Sequence, residues 1–196
     1  LEIGVYEIGD AGLKDIPNAS ELFLSERPVN ASGTVVVPVM EGTRPILVEV
    51  QALVGSSSYQ NARRTTNGID LNRLQLLLAV LEKRAGLLLG GSDAFVKVAG
   101  GVKIDEPAVD LGLAVALASS YRDCPVNPYT VIIGEVGLAG EVRAVSHMEQ
   151  RIRESRRMGF RRAIVPVSAE KVHTEPGFSL LGAPTLNDAL NIVLGR

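Results

Sequence analysis

The apolar positions of the chain change period several times, and each change marks an element. Thr34 to Met40 and Pro45 to Val54 are β-branched runs joined by Glu41-Gly42-Thr43-Arg44, which predicts an antiparallel hairpin. Leu71, Leu74, Leu78, Leu81 and Ala85 form one helical stripe, widened by Leu76, Leu77 and Val80. Asp70 is placed to cap this helix and Gly86 to end it. Ala94 to Ala99 reads as a strand. Ala108 to Ser120 is apolar on almost every face, so it is expected to be a central helix, with Pro107 suiting its first turn.

Beyond it, Thr130 to Val136 reads as a second buried strand, Ser146 to Met158 as a helix and Ala163 to Val167 as a strand. These three predict a βαβ unit with a right-handed crossover. Gly137 to Val145 is a tight turn with a short strand. Ser179 to Leu181 is a short strand, and Thr185 to Leu194 closes as a helix. Near the start, Leu1 to Ile8 suggests a short strand, and Pro17 to Arg27 a short helix capped by Asn18 or Ser20. Gly55 to Gly68 is polar and reads as a loop long enough to suspect a function. The sum is an α+β arrangement with a mixed sheet and packed helices. Residues 1–27 form a connecting strand and helix, and residues 28–196 the main domain.

Composition narrows the function. The 196 residues suit one domain, and a core of that size needs no staple. A single cysteine, Cys124, excludes an internal disulfide framework and a Cys-based zinc site, and His147 and His173 are too few for a His-rich metal site. No metal is therefore expected. No apolar run is long enough to span a membrane, and no signal peptide is present, so the expected location is the cytosol. The chain starts on Leu-Glu-Ile-Gly with no initiator methionine, which suggests a piece of something longer.

Several chemistries are absent. There is no phosphate-cradling G-x-x-x-x-G-K-[ST], no H-E-x-x-H and no G-x-S-x-G. Gly100-Gly101 is too thin for a dinucleotide fingerprint and reads as a flexible joint. His147 has no acidic partner in a recognisable motif.

Two segments carry a resemblance. One is Asp105-Glu106-Pro107-Ala108 with its apolar helix. The other is Gly134-Glu135-Val136-Gly137-Leu138-Ala139-Gly140-Glu141-Val142, followed by a helix and by Met158-Gly159-Phe160-Arg161-Arg162-Ala163-Ile164-Val165-Pro166. Both resemble Lon-type serine proteases. There the first motif reads approximately D-G-P-S-A-G and supplies the nucleophilic serine. The second is followed by G-G-L-K-E-K, which supplies the lysine base. Threading those patterns onto this chain puts Ala108 at the serine position and Glu149 at the lysine position. A Ser–Lys dyad needs a hydroxyl to attack and an amine to take its proton. Neither is present. Ser146-x-x-Glu149 instead predicts a capping box at a helix start, with a catalytic carboxylate as the alternative. A relocated dyad, such as Ser119 or Ser58 with Lys97 or Lys103, is a further alternative, and nothing in the spacing singles out such a pair.

The chain is similar over nearly its whole length to the C-terminal Lon-like domain of the RadA (Sms) family of bacterial DNA repair proteins. Ser20-Glu21-Leu22-Phe23-Leu24, Ala62-Arg63-Arg64, Gly68-Ile69-Asp70-Leu71-Asn72-Arg73, Ala79-Val80-Leu81-Glu82-Lys83-Arg84 and Val96 to Ala108 carry this likeness. The resemblance implies the Lon proteolytic-domain fold, of the ribosomal-protein-S5-domain-2-like type, without protease activity. It implies a hexameric ring stacked on a RecA-like ATPase ring, in a cytoplasmic, nucleoid-associated helicase for branch migration. ATP, magnesium and zinc would belong to parts of such proteins outside this chain, leaving no cofactor here.

Charge adds one feature. The chain has net charge −2, which argues weakly against nucleic acid. Aromatic residues are 4% and tryptophan is absent, which disfavours an extensive base-stacking platform. Yet Arg143, Arg151, Arg153, Arg156, Arg157, Arg161 and Arg162 face only Glu149 and Glu154 within one short stretch. Met148, Ile152 and Ser155 share one stripe of the helix there, with the arginines on much of the rest. Arg63-Arg64 is a second basic site, and Lys83-Arg84 closes the leucine-rich helix. Guanidinium groups donate two parallel hydrogen bonds and suit phosphate oxygens without reading base sequence. The residues expected to touch single-stranded or branched DNA are Arg63 and Arg64, then Arg157, Arg161 and Arg162. A pure assembly module, its arginines paired across subunits, is the alternative.

Overall fold

The computed structural model describes residues 6–9, 12–15, 19–58 and 61–195. In chain order the first elements are β1 (Tyr6–Gly9), β2 (Gly12–Asp15), α1 (Ala19–Leu24), β3 (Thr34–Glu41), β4 (Arg44–Ser56) and β5 (Arg64–Asn67). Then come α2 (Leu71–Ala85), β6 (Ser92–Val98), α3 (Asp110–Arg122), β7 (Thr130–Ile132), β8 (Glu135–Val136) and β9 (Val142–Arg143). The chain closes with α4 (Met148–Arg157), β10 (Arg162–Pro166), β11 (Ser179–Ala183) and α5 (Leu186–Leu194).

The central sheet has the order β11-β10-β7-β3-β4-β6-β5. β3, β4 and β6 pair antiparallel, with Val37 opposite Val48 and Leu53 opposite Phe95. The remaining pairs are parallel, so the sheet is mixed, as expected of the α+β arrangement, and mostly parallel. β7 and β10 pair directly on either side of α4, which is the expected βαβ unit. Short two-stranded ribbons, β1–β2 and β8–β9, stand apart from the sheet.

Strand alternation sorts the core into two layers. Val35, Val37, Val48, Val50, Val96 and Ile132 face α2, α3 and α5. Val36, Leu47, Val131, Ile133, Ala163 and Val165 face the other way, with Ile152 of α4, Phe160 and Phe178. α3 is buried at ten successive positions, Asp110 to Ser119, because sheet and helices surround it. Gly112 sets how close it lies: a Cβ there would come 2.3 Å from Val37 Cγ1. Gly112→Ala should therefore lower stability by about 1–3 kcal/mol through overpacking, measurable as a reduced urea midpoint with unchanged m-value.

Local chemistry explains most boundaries. The Asp70 side chain accepts from Arg73 N at 3.1 Å, and Gly86 takes the left-handed conformation that ends α2. α2 buries Leu74, Leu77, Leu78, Val80 and Leu81, while Leu71 and Leu76 stay largely exposed. Thr185 and Asp188 form a reciprocal capping box on α5.

Four expectations change. The segment 55–68 is not all loop: Arg64–Asn67 joins the sheet beside β6, in parallel. The run from Thr130 leaves the ladder after Ile132. Gly134 N then donates to Ala108 O, and Leu111 N donates to Gly134 O, tying this segment to the entrance of α3. The capping box at Ser146 does not form. His147 enters α4 at φ 57°, in the left-handed region, and makes no side-chain cap. Ser146 O accepts from Arg151 Nε instead. Finally, Ser20 lies inside α1, where its hydroxyl donates to Glu154 and accepts from Leu47 N. Asn18 and the first part of the strand expected from Leu1 lie outside the described residues.

Candidate nucleic-acid interface

Ala108 sits in the 3-10 turn Pro107–Val109 and is buried. Its methyl group has no lone pair with which to attack. Glu149 is exposed in the first turn of α4, on the rim of a cleft with Ile152, Arg153, Arg156 and His173. Ser119 is fully buried, and its hydroxyl donates to Cys124 O while accepting from Gly33 N. It is a structural clasp. Lys97 stands exposed on β6 and Lys103 borders a separate cleft beside α2.

Next to Ala108 lies a charged knot. Arg151 of α4 is wholly buried. Its two terminal nitrogens donate to the Glu106 carboxylate at 3.0 and 2.6 Å. Nη1 also donates to Pro38 O, and Nε to Ser146 O. Glu106 further accepts from Met40 N at 2.9 Å. One ion pair thus fastens α4 to β3 and to the turn before α3. Arg151 is therefore removed from the surface charge that the sequence suggested.

A second, part-buried pair joins Arg73 of α2 to the buried Asp110 at the start of α3. Asp110 also accepts from Val136 N, yet burial dominates and raises its pKa. Its ionisation therefore disfavours folding: the contribution is present at low pH and lost as pH rises through the raised folded pKa.

The five arginines expected at an interface fall into two groups. Arg157 ends α4 and is held by Glu154 at 2.7 and 2.8 Å. Arg161 is exposed, with its guanidinium carbon 4.8 Å from the centre of the Tyr129 ring. Arg162 opens β10 and donates to Thr130 Oγ1 at 2.6 Å. Four residues of turn separate α4 from β10, so these three arginines share one corner.

Arg63 and Arg64 form the other group. Asp93 accepts from Arg63 Nε and Nη2 at 3.0 and 2.8 Å, and from its backbone N at 2.7 Å. These bonds, the backbone one foremost, hold the Asp93 pKa below the usual carboxylate range. The Arg63 side chain nevertheless remains 55% exposed. Arg64 turns to the opposite side, where its guanidinium donates to Ser92 O, Leu89 O and Arg63 O. It braces the chain before β6 more than it reaches outward.

β5 and β10 run in the same direction, but the sheet is staggered: the registers put Arg162 level with Val50, Val98 and Gly68, four residues, or about 13 Å, along the strands from Arg64. They are five strand spacings apart in the order, about 24 Å at ~4.8 Å each. One copy therefore offers two separated cationic points rather than a single patch. Among the described residues, no group of three or more His, Cys, Asp or Glu could hold a metal. No described helix is long and apolar enough to cross a membrane.

Glu154 tunes the larger group. Burial pushes its pKa up, but hydrogen bonds from Arg157 and Ser20 outweigh this and bring it below the ordinary value. The pair's stability is present above the ordinary glutamate range and is lost as pH falls through the lowered folded pKa. Glu154→Gln should flatten that acid limb, cost less than about 1 kcal/mol because Arg157 is half exposed, and tighten any phosphate binding by Arg157. A stability–pH series with parallel binding titrations checks both.

A family model described as "Subunit ChlI of Mg-chelatase" matches residues 93–169, from β6 to the turn after β10. The whole chain is 50% identical to a protein named DNA repair protein RadA from Halalkalibacterium halodurans. Over 99% of its length it is 51% identical to the protein of that name from Bacillus subtilis, and over 98% it is 51% identical to that from Streptococcus pneumoniae. It spans 43%, 43% and 46% of those three relatives.

Proposed function

Because the chain is a RadA-related region along its whole length, we propose that it serves a DNA repair and recombination ATPase as a Lon-like domain without protease activity. Its part is an accessory DNA surface and a scaffold for a hexamer. ATP hydrolysis and branch migration belong to the whole protein, which acts on DNA in the bacterial cytoplasm. The RecA-like ATPase domain is this region's partner in the same polypeptide.

The observation that carries the DNA reading is the gathering of Arg157, Arg161 and Arg162 at one sheet corner, with Arg63 about 24 Å away across the strands and offset by a further ~13 Å or more along them. Phosphates recur along a duplex, and separated cations can follow its backbone. A ring would repeat each contact, so individually weak contacts would combine. The loss of protease chemistry is supported by the methyl side chain at 108 and by the carboxylate at 149.

Fluorescence anisotropy of a labelled duplex across a salt series, with the oligomeric state measured in each buffer, tests this. Binding that weakens steeply with salt is expected. A confirmed hexamer that binds no DNA at low salt would leave only the scaffold.

A further inference from the structure

Among the described residues, one quarter of the sheet has no helix over it. On the side away from α2 and α3, α1 and α4 pack against β3 and β4. Beyond them β4, β6 and β5 present a register of side chains that the described helices do not cover. Gln51 stands opposite Lys97, Leu53 opposite Phe95, and Thr65 and Asn67 flank Phe95 and Lys97. Leu53 is 64% exposed; Lys97, Thr65 and Asn67 are exposed; Phe95 and Gln51 are half-buried.

Its chemistry is mixed in a specific way. Arg63 lies over the Phe95 ring, 5.4 Å from its centre, and Asp93 fixes its guanidinium from the side. The face continues into a cleft of about 470 Å³ lined by Ser25, Arg27, Gln51, Lys97 and Gly100, with Glu26 at its rim and Glu49 in its floor. Glu49 is buried and already accepts from Thr34 and Gln51, and Asp93 is buried against Arg63. A ligand here meets Lys97, the Arg63 guanidinium paired with Asp93, and Arg27, whose guanidinium carbon lies 5.0 Å from the centre of the Phe160 ring, with the exposed Glu26 carboxylate among them, around an apolar and aromatic centre.

We infer that this open sheet face is a docking track for single-stranded nucleic acid, with bases over Leu53, Phe95 and the Arg63 guanidinium and phosphates at Lys97 and Arg27. The physical grounds are three. Bases stack on aromatic rings and on guanidinium planes with little regard to sequence. Side chains two apart on a strand are about 7 Å apart, which is two stacked nucleotides at ~3.4 Å each. A duplex hides its bases and would gain only the phosphate contacts. The inference rests on the nucleic-acid reading above and deepens it: the arginine corner at β10 engages backbone, and the sheet face engages unpaired bases.

The test uses the full chain, a labelled deoxythymidine oligomer and a duplex of equal length. Leu53→Asp combined with Lys97→Glu should weaken binding of the oligomer by roughly tenfold or more, and change duplex binding less than twofold. Phe95→Leu keeps an apolar side chain at a half-buried site and should also weaken the oligomer. Ultraviolet crosslinking of a bromodeoxyuridine oligomer to the unaltered chain, mapped by peptide, should fall on residues 93–97. An oligomer that binds with unchanged affinity to the double variant, or that crosslinks elsewhere, overturns the inference while duplex binding keeps the broader reading intact. Binding of neither nucleic acid removes both. Tighter binding of polyglutamate than of the oligomer, lost in the double variant, would assign the face to an acidic peptide and overturn the inference.

Discussion

Arg151→Met lowers the stability of the domain by about 3–5 kcal/mol, the usual cost of leaving one member of a buried ion pair alone. The mechanism is specific. Methionine fits an apolar site, but the Glu106 carboxylate would keep only Met40 N as a described donor. Pro38 O and Ser146 O would each lose a donor as well. Unpaired buried acceptors cost the full desolvation of each group. In a domain of this size the loss appears as a melting temperature lower by roughly 6–20 °C. Pairing Arg151→Met with Glu106→Gln should recover much of it, since the stranded charge is gone. A double variant no more stable than Arg151→Met alone would mean that the Pro38 and Ser146 carbonyls, not the ion pair, carry the effect.

That knot also marks what the sequence concealed. Met148, Ile152 and Ser155 predict the inward stripe of α4, and the same spacing includes residue 151, at i+3 from Met148. An arginine there reads, with its six neighbours, as solvent-facing charge. The signal is present in the periodicity and is masked by residue type. β5 is hidden for another reason. Its four residues, Arg64–Asn67, include no apolar side chain, because it is an edge strand that one neighbour alone holds. Only its parallel ladder to β6 defines it, and that pairing is non-local.

By contrast, α3, the β3–β4 hairpin and the caps of α2 are legible, because each is encoded within a few residues. Ser146-x-x-Glu149 has the letters of a capping box. His147 in the left-handed region turns the chain so that Ser146 is no longer the cap. The arginine corner is legible as a charge cluster but not as geometry. Its separation from Arg63 follows from strand order, which periodicity does not give. Arg63 and Arg64 look equivalent in sequence; alternation sends them to opposite faces of the sheet, one over Phe95 and one onto backbone carbonyls.

The second large effect concerns DNA. Charge reversal at Arg157, Arg161 and Arg162 together should weaken duplex binding by on the order of 100-fold at low salt, since three phosphate contacts become three repulsions. Stability should change little. Arg157 pairs at the surface with Glu154, Arg161 rests on Tyr129, and Arg162 makes one hydrogen bond to Thr130. Surface interactions of this kind contribute about 1 kcal/mol or less each. Reversal of Arg64 should behave differently. It breaks bonds to Ser92 O and Leu89 O and should reduce stability before it reduces binding. Melting temperature and duplex affinity, measured on the same samples, separate the two behaviours.

The most direct test of the account is the slope of log affinity against log salt for a duplex, measured for the unaltered chain and for Arg157→Ala/Arg161→Ala/Arg162→Ala. If these side chains displace counterions from phosphates, the slope becomes shallower by about 0.9 for each phosphate no longer neutralised, approaching about 2.7 for all three. An unchanged slope in a folded variant would show that this corner does not touch the DNA backbone and would contradict the account.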